Sequence, residues 1–138
     1  MRRDGRGRTS IVRIGLIVLG MCLISACAGL QGARERSTLV TATAFNSLPQ
    51  QTDRRPDIGA WGDRISPGMK VVAVSADLVA EGLERGVRVR IEGLPGEYVV
   101  LDRMPARWTR RIDIYMGTDA ASAKAWGQRR VWVYWTPP

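Results

Sequence analysis

Carboxylates are the side chains of this sequence that could carry acid–base chemistry. The 138 residues include no histidine, which excludes a Ser-His-Asp triad, a Cys-His pair and a histidine-ligated zinc site. Asp113 stands between Ile112 and Ile114 in a segment patterned as a strand, where aspartate is disfavoured. The alternative is an exposed strand aspartate paired with Arg110 or Arg111. We interpret Asp113 as a functional residue.

A second carboxylate, Asp102, ends the strand-like segment that precedes Asp113. Two neighbouring carboxylates push their pKa values apart, which could keep one of them protonated near neutral pH. The alternative for Asp102 is an aspartate that accepts backbone hydrogen bonds in a turn. A third carboxylate, Asp77, begins a helix-like segment whose possible N-caps are Asp77 and Ser75, and we interpret Asp77 as a helix cap rather than a catalyst.

Five tryptophans in a short chain invite a sugar-stacking interpretation, because an apolar ring face complements the C–H face of a pyranose. Trp126, Trp132 and Trp135 lie on patterned elements, and we expect at least two of them to pack in the core. Trp61 and Trp108 lie in loops and are the candidates for glycan contact.

Three arginines shortly precede Asp113 in the sequence: Arg107, Arg110 and Arg111. Guanidinium groups bind carboxylates with paired hydrogen bonds, so Arg110 and Arg111 are candidates for binding acidic substituents of a substrate. The alternative is solvated surface charge, the commoner fate of such a cluster.

Six segments with period-two patterning predict the strands that must position these side chains. They are Thr38 to Phe45, Lys70 to Ser75, Val87 to Ile91, Tyr98 to Asp102, Ile112 to Tyr115 and Val131 to Trp135. Helices are predicted from Asp77 to Leu83 and from Asp119 to Trp126. Short strands with non-local pairing favour a mostly-β protein, a small closed barrel, over a sandwich or a helical bundle. The Pro- and Gly-rich stretch from Asn46 to Gly68 predicts a long loop, a candidate wall of a binding site.

The N-terminal residues predict an export signal. A basic opening precedes an apolar run from Ile14 to Ile24, and at about 11 residues this run is shorter than the ~20 that span a bilayer. Residues 24 to 28, Ile-Ser-Ala-Cys-Ala, resemble a lipobox, in which the chain is cut before a lipid-bearing cysteine, here Cys27. The alternative is plain signal cleavage. We expect a signal peptide over 1–26, a tether over 27–37 and one domain over 38–138.

The predicted mature chain is mildly basic. The formal charge of the whole chain is +8, and it falls to +4 because five arginines and one aspartate lie in the signal. A positive surface suits an anionic polymer, either cell wall or nucleic acid. The export signal disfavours nucleic acid. At most one cysteine remains, so no intramolecular disulfide is expected.

Four motifs together resemble the 3D, or three-aspartate, domain family. They are Thr41 to Ala44, Val72 to Ser75, Gly93 to Asp102 and Arg111 to Tyr115, with the eleven-residue spacing of Asp102 and Asp113 as the most specific feature. The later Ala-x-x-Trp-Gly segment, 123–127, and the segment 130–134 also resemble the family.

The resemblance implies a six-stranded double-psi β-barrel with one or two short helices, similar to the catalytic barrel of membrane-bound lytic transglycosylase A. It further implies cleavage of peptidoglycan glycan strands without water, with Asp113 as the single general acid and base and Asp102 as its supporting partner. Tyr115, which completes the last motif, joins the substrate-binding candidates. No cofactor and no metal are implied.

The sequence departs from the family pattern at two positions. Ser75 stands where the family has an aspartate, and Met104 stands where it has a glycine. The turn after Asp102 therefore cannot use the positive φ that glycine allows. The third aspartate of the family is therefore missing or displaced. The loop after Asp102 must differ from that of the family, and the substrate contacts there could differ with it.

Three functions are compared. The first is a lipid-anchored lytic transglycosylase at the periplasmic side, and Ala28 after the cysteine favours the outer membrane. The second is a non-catalytic peptidoglycan-binding or scaffolding module, because the transglycosylase builds its groove with a second domain that this chain is too short to contain. The feature that separates them is whether the loop from Asn46 to Gly68 folds over Asp102 and Asp113. The third is a nucleic-acid-binding barrel, which would require steeply salt-dependent binding.

Overall fold

Alternating β-branched and polar side chains build six strands, which are joined by glycine- and proline-rich turns. The computed structural model describes residues 32–47 and 57–138. Its strands are β1 (Arg36–Phe45), β2 (Val71–Val74), β3 (Arg88–Ile91), β4 (Glu97–Arg103), β5 (Arg111–Tyr115) and β6 (Arg129–Trp135). Its helices are α1 (Ala76–Ala80) and α2 (Ala120–Trp126). All six predicted strands are present, with bounds that differ by at most two residues at either end.

Several predictions lie outside the described residues. They are the signal peptide (1–26), the lipidated Cys27, the first part of the tether (27–31) and the middle of the long loop (48–56). Within 32–47 and 57–138, no helix has the length and apolar character needed to cross a membrane.

The strands form a closed barrel in the order β1-β5-β2-β4-β3-β6. β1 runs parallel to β5 and β2 runs parallel to β4, whereas the other four pairs are antiparallel. The barrel closes between the first and last strands, with Arg36 in register with Trp135. The prediction of a mostly-β, closed six-stranded barrel with two short helices is confirmed.

The barrel interior takes every second side chain of each strand, as the pleat requires. β1 contributes Val40 and Ala42, and β5 contributes Ile112 and Ile114, all at most 2% exposed. The residues between them point outward, so Thr43 and Asp113 lie on the outer surface of neighbouring strands. Apolar packing inside therefore decides which polar side chains face out.

The two helices pack at the ends of the barrel strands. Ser75, the other predicted candidate, is the N-cap of α1 in place of Asp77, which lies in the first turn of the helix. The helix ends at Ala80 rather than at the predicted Leu83. Asp119 caps α2 by accepting a hydrogen bond from the Ser122 N–H at 2.9 Å, and Gly127 ends it at a φ of 63°, a conformation that favours glycine.

The tryptophans on the patterned elements divide as expected. Trp126 and Trp135 are buried at 8% and 3% exposure, whereas Trp132 is 42% exposed on the outer face of β6. Two of the three therefore serve packing, and Trp132 is left on the surface.

Candidate functional site

One row of outward-facing residues crosses four adjacent strands of the barrel. Thr43 on β1 is in register with Asp113 on β5, and Asp113 is in register with Ala73 on β2. Ala73 in turn is in register with Asp102 on β4. The two aspartates that the sequence singled out therefore lie on either side of one small residue, with a single strand between them.

A β-bulge brings Asp102 into this row. The pairing of β2 with β4 runs from Val72 with Val100 directly to Ala73 with Asp102, which leaves Leu101 as an extra residue. Without the extra residue, the alternation that turns Val100 inward would also turn Asp102 inward. The bulge therefore gives an acidic residue an outward position at the end of a strand whose inner face is apolar.

Asp113 has the environment of a carboxylic acid poised to exchange a proton. Its side chain is half-buried, and its Oδ1 accepts a hydrogen bond from the Thr43 hydroxyl at 3.0 Å. Burial raises the pKa of Asp113 to about 6 and the nearby charge of Asp102 adds to the rise, while the Thr43 hydrogen bond and the charge of Arg111 oppose it. A carboxyl with such a pKa holds a proton for part of the time near neutral pH.

Asp102 is held by backbone N–H groups. Its Oδ1 accepts from the N–H of Ala60 at 2.6 Å and from the N–H of Arg103 at 2.8 Å. Ala60 belongs to the long loop, so this carboxylate fastens the loop to β4. The turn-type role that the sequence left open for Asp102 is present, and it coexists with the place of Asp102 beside Asp113.

The described end of the long loop forms a small hairpin against β4. An isolated bridge pairs Ile58 with Arg64, and the Gly59 N–H donates to the Asp63 carbonyl at 2.8 Å. Gly59 approaches β4 so closely that an added Cβ would lie 2.3 Å from the Leu101 carbonyl oxygen. The predicted structureless loop is thus partly ordered, because only glycine permits this approach.

An ion pair fastens the other side of the hairpin. The guanidinium of Arg85 donates from Nε and Nη2 to the two carboxylate oxygens of Asp63, at 2.7 and 2.6 Å. This pairing lowers the pKa of Asp63.

Trp61, at the hairpin tip, is half-buried and packs against the barrel core. Packing therefore accounts for part of the Trp61 ring, and the remainder is exposed beside the hairpin.

Arg111, two residues before Asp113, stacks on the ring of Trp108. The Arg111 guanidinium lies 4.1 Å from the centre of the Trp108 ring, and Arg107 lies 5.3 Å from the same ring. Arg111 also donates to the Gln128 side chain at 2.6 Å. Residues 111 and 113 share the outer face of β5 because strand side chains alternate. The structure thus brings Arg111 and Trp108 to the aspartate row.

Arg110 is held away from the row. Its backbone has a φ of 50°, and its N–H donates to Asp77 Oδ2 at 2.9 Å. Its guanidinium donates to Glu81 at 2.9 Å and to Thr38 at 3.2 Å. Asp77, Glu81 and Thr38 thus occupy both the backbone and the side chain of Arg110, so this predicted substrate-binding residue has a structural role.

Tyr115 is also a packing residue. It is 3% exposed, lies 5.3 Å from the Phe45 ring and shares a 2.9 Å hydrogen bond with the Ser47 hydroxyl. Its burial closes it to direct contact with a bound polymer. Tyr115 instead belongs to a buried apolar cluster with Ile65 and Val71, two residues from Asp113 along β5.

Both departures from the family pattern are buried. Ser75 is fully buried, and its hydroxyl accepts a hydrogen bond from the Arg111 N–H at 3.1 Å. Met104 is 8% exposed, and its N–H donates to the Val74 carbonyl. Position 75 therefore supports the backbone beside the site, and an ionised aspartate there would have to be desolvated.

Sequence patterning missed two contributors to the row, Thr43 and the backbone of Ala60. The alternation of β1 predicts that Thr43 points outward, but only the pairing with β5 shows that it bonds Asp113.

In the described parts of the chain, no group of three or more aspartate, glutamate, cysteine or histidine side chains could hold a metal ion.

Comparison with known proteins gives similar structures but no family. No family model matches the chain, and no curated protein matches it. A papain inhibitor from Streptomyces is similar, with 23% identity and a TM-score of 0.49 over 75% of this chain and 96% of that one. Expansin from Clavibacter michiganensis is similar in two structures, one of them a mutant in complex with cellohexaose. Their identities are 15% and 17%, and each has a TM-score of 0.45 over 73% of this chain and 50% of that one. The chain thus spans about half the length of the expansin.

Proposed function

We propose that this chain cleaves peptidoglycan glycan strands as a lytic transglycosylase on a double-psi β-barrel, with Asp113 as the single general acid and base. The observation that carries the proposal is the half-buried Asp113 carboxyl, whose pKa is raised to about 6 and whose orientation is fixed by Thr43. The two parallel strand pairs, β1 with β5 and β2 with β4, support the double-psi assignment.

The reaction needs one group that first gives and then takes a proton. Protonated Asp113 gives its proton to the glycosidic oxygen as the bond from that oxygen to the anomeric carbon breaks, and the leaving sugar departs with a new hydroxyl. The resulting carboxylate takes the proton of the 6-hydroxyl of the remaining sugar, whose oxygen bonds the anomeric carbon. The product is a 1,6-anhydro sugar, and Asp113 regains its proton.

The bonding of Asp102 supports transglycosylation over hydrolysis. A glycoside hydrolase normally needs a second carboxylate to attack the sugar or to activate water. Asp102 Oδ1 already accepts from two backbone N–H groups, which fix its position. Its charge raises the pKa of Asp113, so Asp102 acts here as a positioning residue.

The hairpin and the stacked arginine provide the walls for a glycan. The hairpin at Ala60 borders the Asp102 end of the row, with part of the Trp61 ring exposed. Beside Asp113 on β5, the Arg111 guanidinium on Trp108 offers a cation for the carboxylates of peptide side chains or the acyl groups of the wall.

The test is to incubate residues 28–138 with peptidoglycan sacculi and to analyse the released fragments by mass spectrometry. Fragments that end in 1,6-anhydro sugars, lost in Asp113→Asn and retained in Asp57→Asn, would support the proposal. Fragments with reducing ends would instead mean a hydrolase. A folded domain that pellets with sacculi and releases nothing would mean the alternative, a non-catalytic binding or scaffolding module.

We also propose that Cys27 carries a lipid and anchors the domain to the outer membrane on its periplasmic side. The proposal rests on the lipobox-like residues 24–28 and on Ala28 after the cysteine. Metabolic labelling with an alkyne fatty acid should mark the wild-type chain and leave Cys27→Ala unlabelled. Recovery of the labelled chain in inner-membrane fractions would contradict the outer-membrane placement.

A further inference from the structure

A cleft lies on the side of the barrel opposite the aspartate row. Its volume is about 530 Å³, within the roughly 300–1,000 Å³ of small-molecule sites. It is bordered by β3, β6, the turn before β3 and the residue preceding β1. In the barrel order, β3 stands opposite β5 and β6 stands opposite β2. A molecule in the cleft would therefore leave Asp113 accessible.

The charged lining of the cleft is balanced. Three arginines and three glutamates border it: Arg85, Arg88, Arg90, Glu35, Glu84 and Glu97. Equal numbers of both signs create no net attraction for a polyanion. Guanidinium groups only donate hydrogen bonds and carboxylates only accept them, whereas a sugar hydroxyl does both. The lining therefore suits a neutral polyhydroxyl ligand.

The ion pairs of the lining are open to a ligand. Arg88 lies 3.6 Å from Glu97, with side-chain exposures of 69% and 49%, and Arg90 pairs with Glu35 at similar exposures. Exposed pairs of this kind contribute little to stability. Their donors and acceptors can consequently turn toward bound hydroxyls at little cost to the fold.

Aromatic rings extend the cleft along β6. Tyr134 borders the cleft, with the Arg90 guanidinium 5.2 Å from its ring centre. Trp132 lies two residues before it on the same outer face and is 42% exposed. Side chains two apart on a strand are about 6.6 Å apart. A linear chain of sugars leaving the cleft would meet the Trp132 ring, which offers an apolar face for stacking.

We propose that this cleft binds a neutral segment of a β-1,4-linked N-acetylhexosamine strand, as a second glycan site distinct from the aspartate row. Arg88, Arg90, Glu35 and Glu97 bond the hydroxyl and acetamido groups, and Trp132 stacks on the next sugar. The inference shares its polymer class with the proposed function and rests on it in that respect. It does not require cleavage, because no group of the aspartate row takes part.

The test measures binding of chitotetraose, a neutral oligomer, to the full chain purified in detergent, by isothermal titration calorimetry. Glu97→Gln and Trp132→Ala should each weaken binding at least tenfold. The matched control Arg130→Ala removes an exposed side chain from the same outer face of β6, outside the cleft, and should leave the dissociation constant unchanged. Asp113→Asn should also retain the binding, even if peptidoglycan cleavage is lost or was never present.

Three outcomes would overturn the inference. One is that chitotetraose fails to bind the wild-type chain. A second is that binding survives in Glu97→Gln and Trp132→Ala but disappears in Trp108→Ala, which would place the sugar at the aspartate row. A third is that polyphosphate binds in the cleft with steep salt dependence while chitotetraose does not, which would make the ligand an anion. Circular dichroism of each variant confirms that the barrel is folded.

Discussion

Asp102 and Asp113 are both in register with Ala73, one on each side of β2. Two sheet spacings of about 4.8 Å therefore separate their Cα atoms. The two carboxyl groups interact through their charges, and the smallest side chain of the row lies between them. Ala73 itself is only 4% exposed, so the outer face of β2 is covered between the two aspartates.

The raised pKa of Asp113 predicts that the domain loses stability as the pH rises. Burial raises the pKa of the carboxyl to about 6 in the folded state, from the 3.8 of an unperturbed aspartate. Between these values the folded chain binds a proton that the unfolded chain has released, so the free energy of unfolding falls from about pH 4 to pH 6 and stays lower above. The penalty is at most about 3 kcal/mol, at 1.36 kcal/mol for each pKa unit.

Asp113→Asn should therefore raise the free energy of unfolding by about 1–3 kcal/mol at pH 8 and change it little at pH 3.5, as measured by urea denaturation. Asp119 supplies a control of opposite sign, since hydrogen bonds from Ser122 lower its pKa. Asp119→Asn should lose stability at pH 8 relative to pH 3. An equal gain from Asp113→Asn at both pH values would show that the carboxyl is not perturbed.

The neighbours of Asp113 should move the pH profile of cleavage in opposite directions. If protonated Asp113 is the acid, activity falls as the pH rises through about 6. Thr43→Val removes a hydrogen bond that lowers the pKa, so the falling limb should shift to higher pH. Asp102→Asn removes a charge that raises the pKa, and the limb should shift to lower pH. Shifts of the same sign would exclude Asp113 as the titrating group.

Gly59→Ala should detach the hairpin from β4. The new Cβ would lie 2.3 Å from the Leu101 carbonyl oxygen, so the hairpin must move and the bond from Ala60 to Asp102 is lost. We expect a stability loss of about 1–3 kcal/mol and a fall in activity of at least about tenfold. Limited proteolysis of the 57–65 segment should become faster. Gly32→Ala, with open space around its Cβ, is the control and should be silent in both assays.

Arg110 and Arg111 should differ in their effect on binding to sacculi, although they are adjacent. Arg111→Asn removes the cation stacked on Trp108 and should weaken binding. Arg110→Asn keeps a residue type that tolerates the positive φ and removes the side-chain contacts with Asp77, Glu81 and Thr38. It should reduce thermal stability and leave affinity unchanged. A co-sedimentation isotherm separates the two, and equal affinity losses would contradict this assignment.

Much of the fold was predictable from local patterns, because strand alternation and helix composition are properties of short segments. The segment 112–115 is an example, since its isoleucines and its aspartate sort to opposite faces in any register. The sequence also identified Asp113, Arg111 and Trp108 as candidates for the site. These predictions needed no knowledge of which strands are neighbours.

The remainder of the site depends on contacts between distant segments. The Thr43 hydroxyl bonds a carboxylate 70 residues away, and the bulge at Leu101 is visible only in the pairing of β4 with β2. Arg110 was predicted to bind substrate because its charge is visible in the sequence, whereas its bonds to Asp77, Glu81 and Thr38 come from tertiary structure. The burial of Tyr115 likewise comes from tertiary structure.

The pairing of β1 with the last two strands also governs how the chain acquires its structure. Among the described residues β1 pairs with β5 and β6, so in a chain that emerges from its N-terminus β1 has no partner strand until β5 has appeared, and the barrel stays open until β6 has appeared. Long-range pairing of this kind slows folding, and no shorter intermediate can close the barrel. The surroundings of Asp113 are therefore complete only once the barrel has closed, and a chain truncated before β6 would lose them together with the fold.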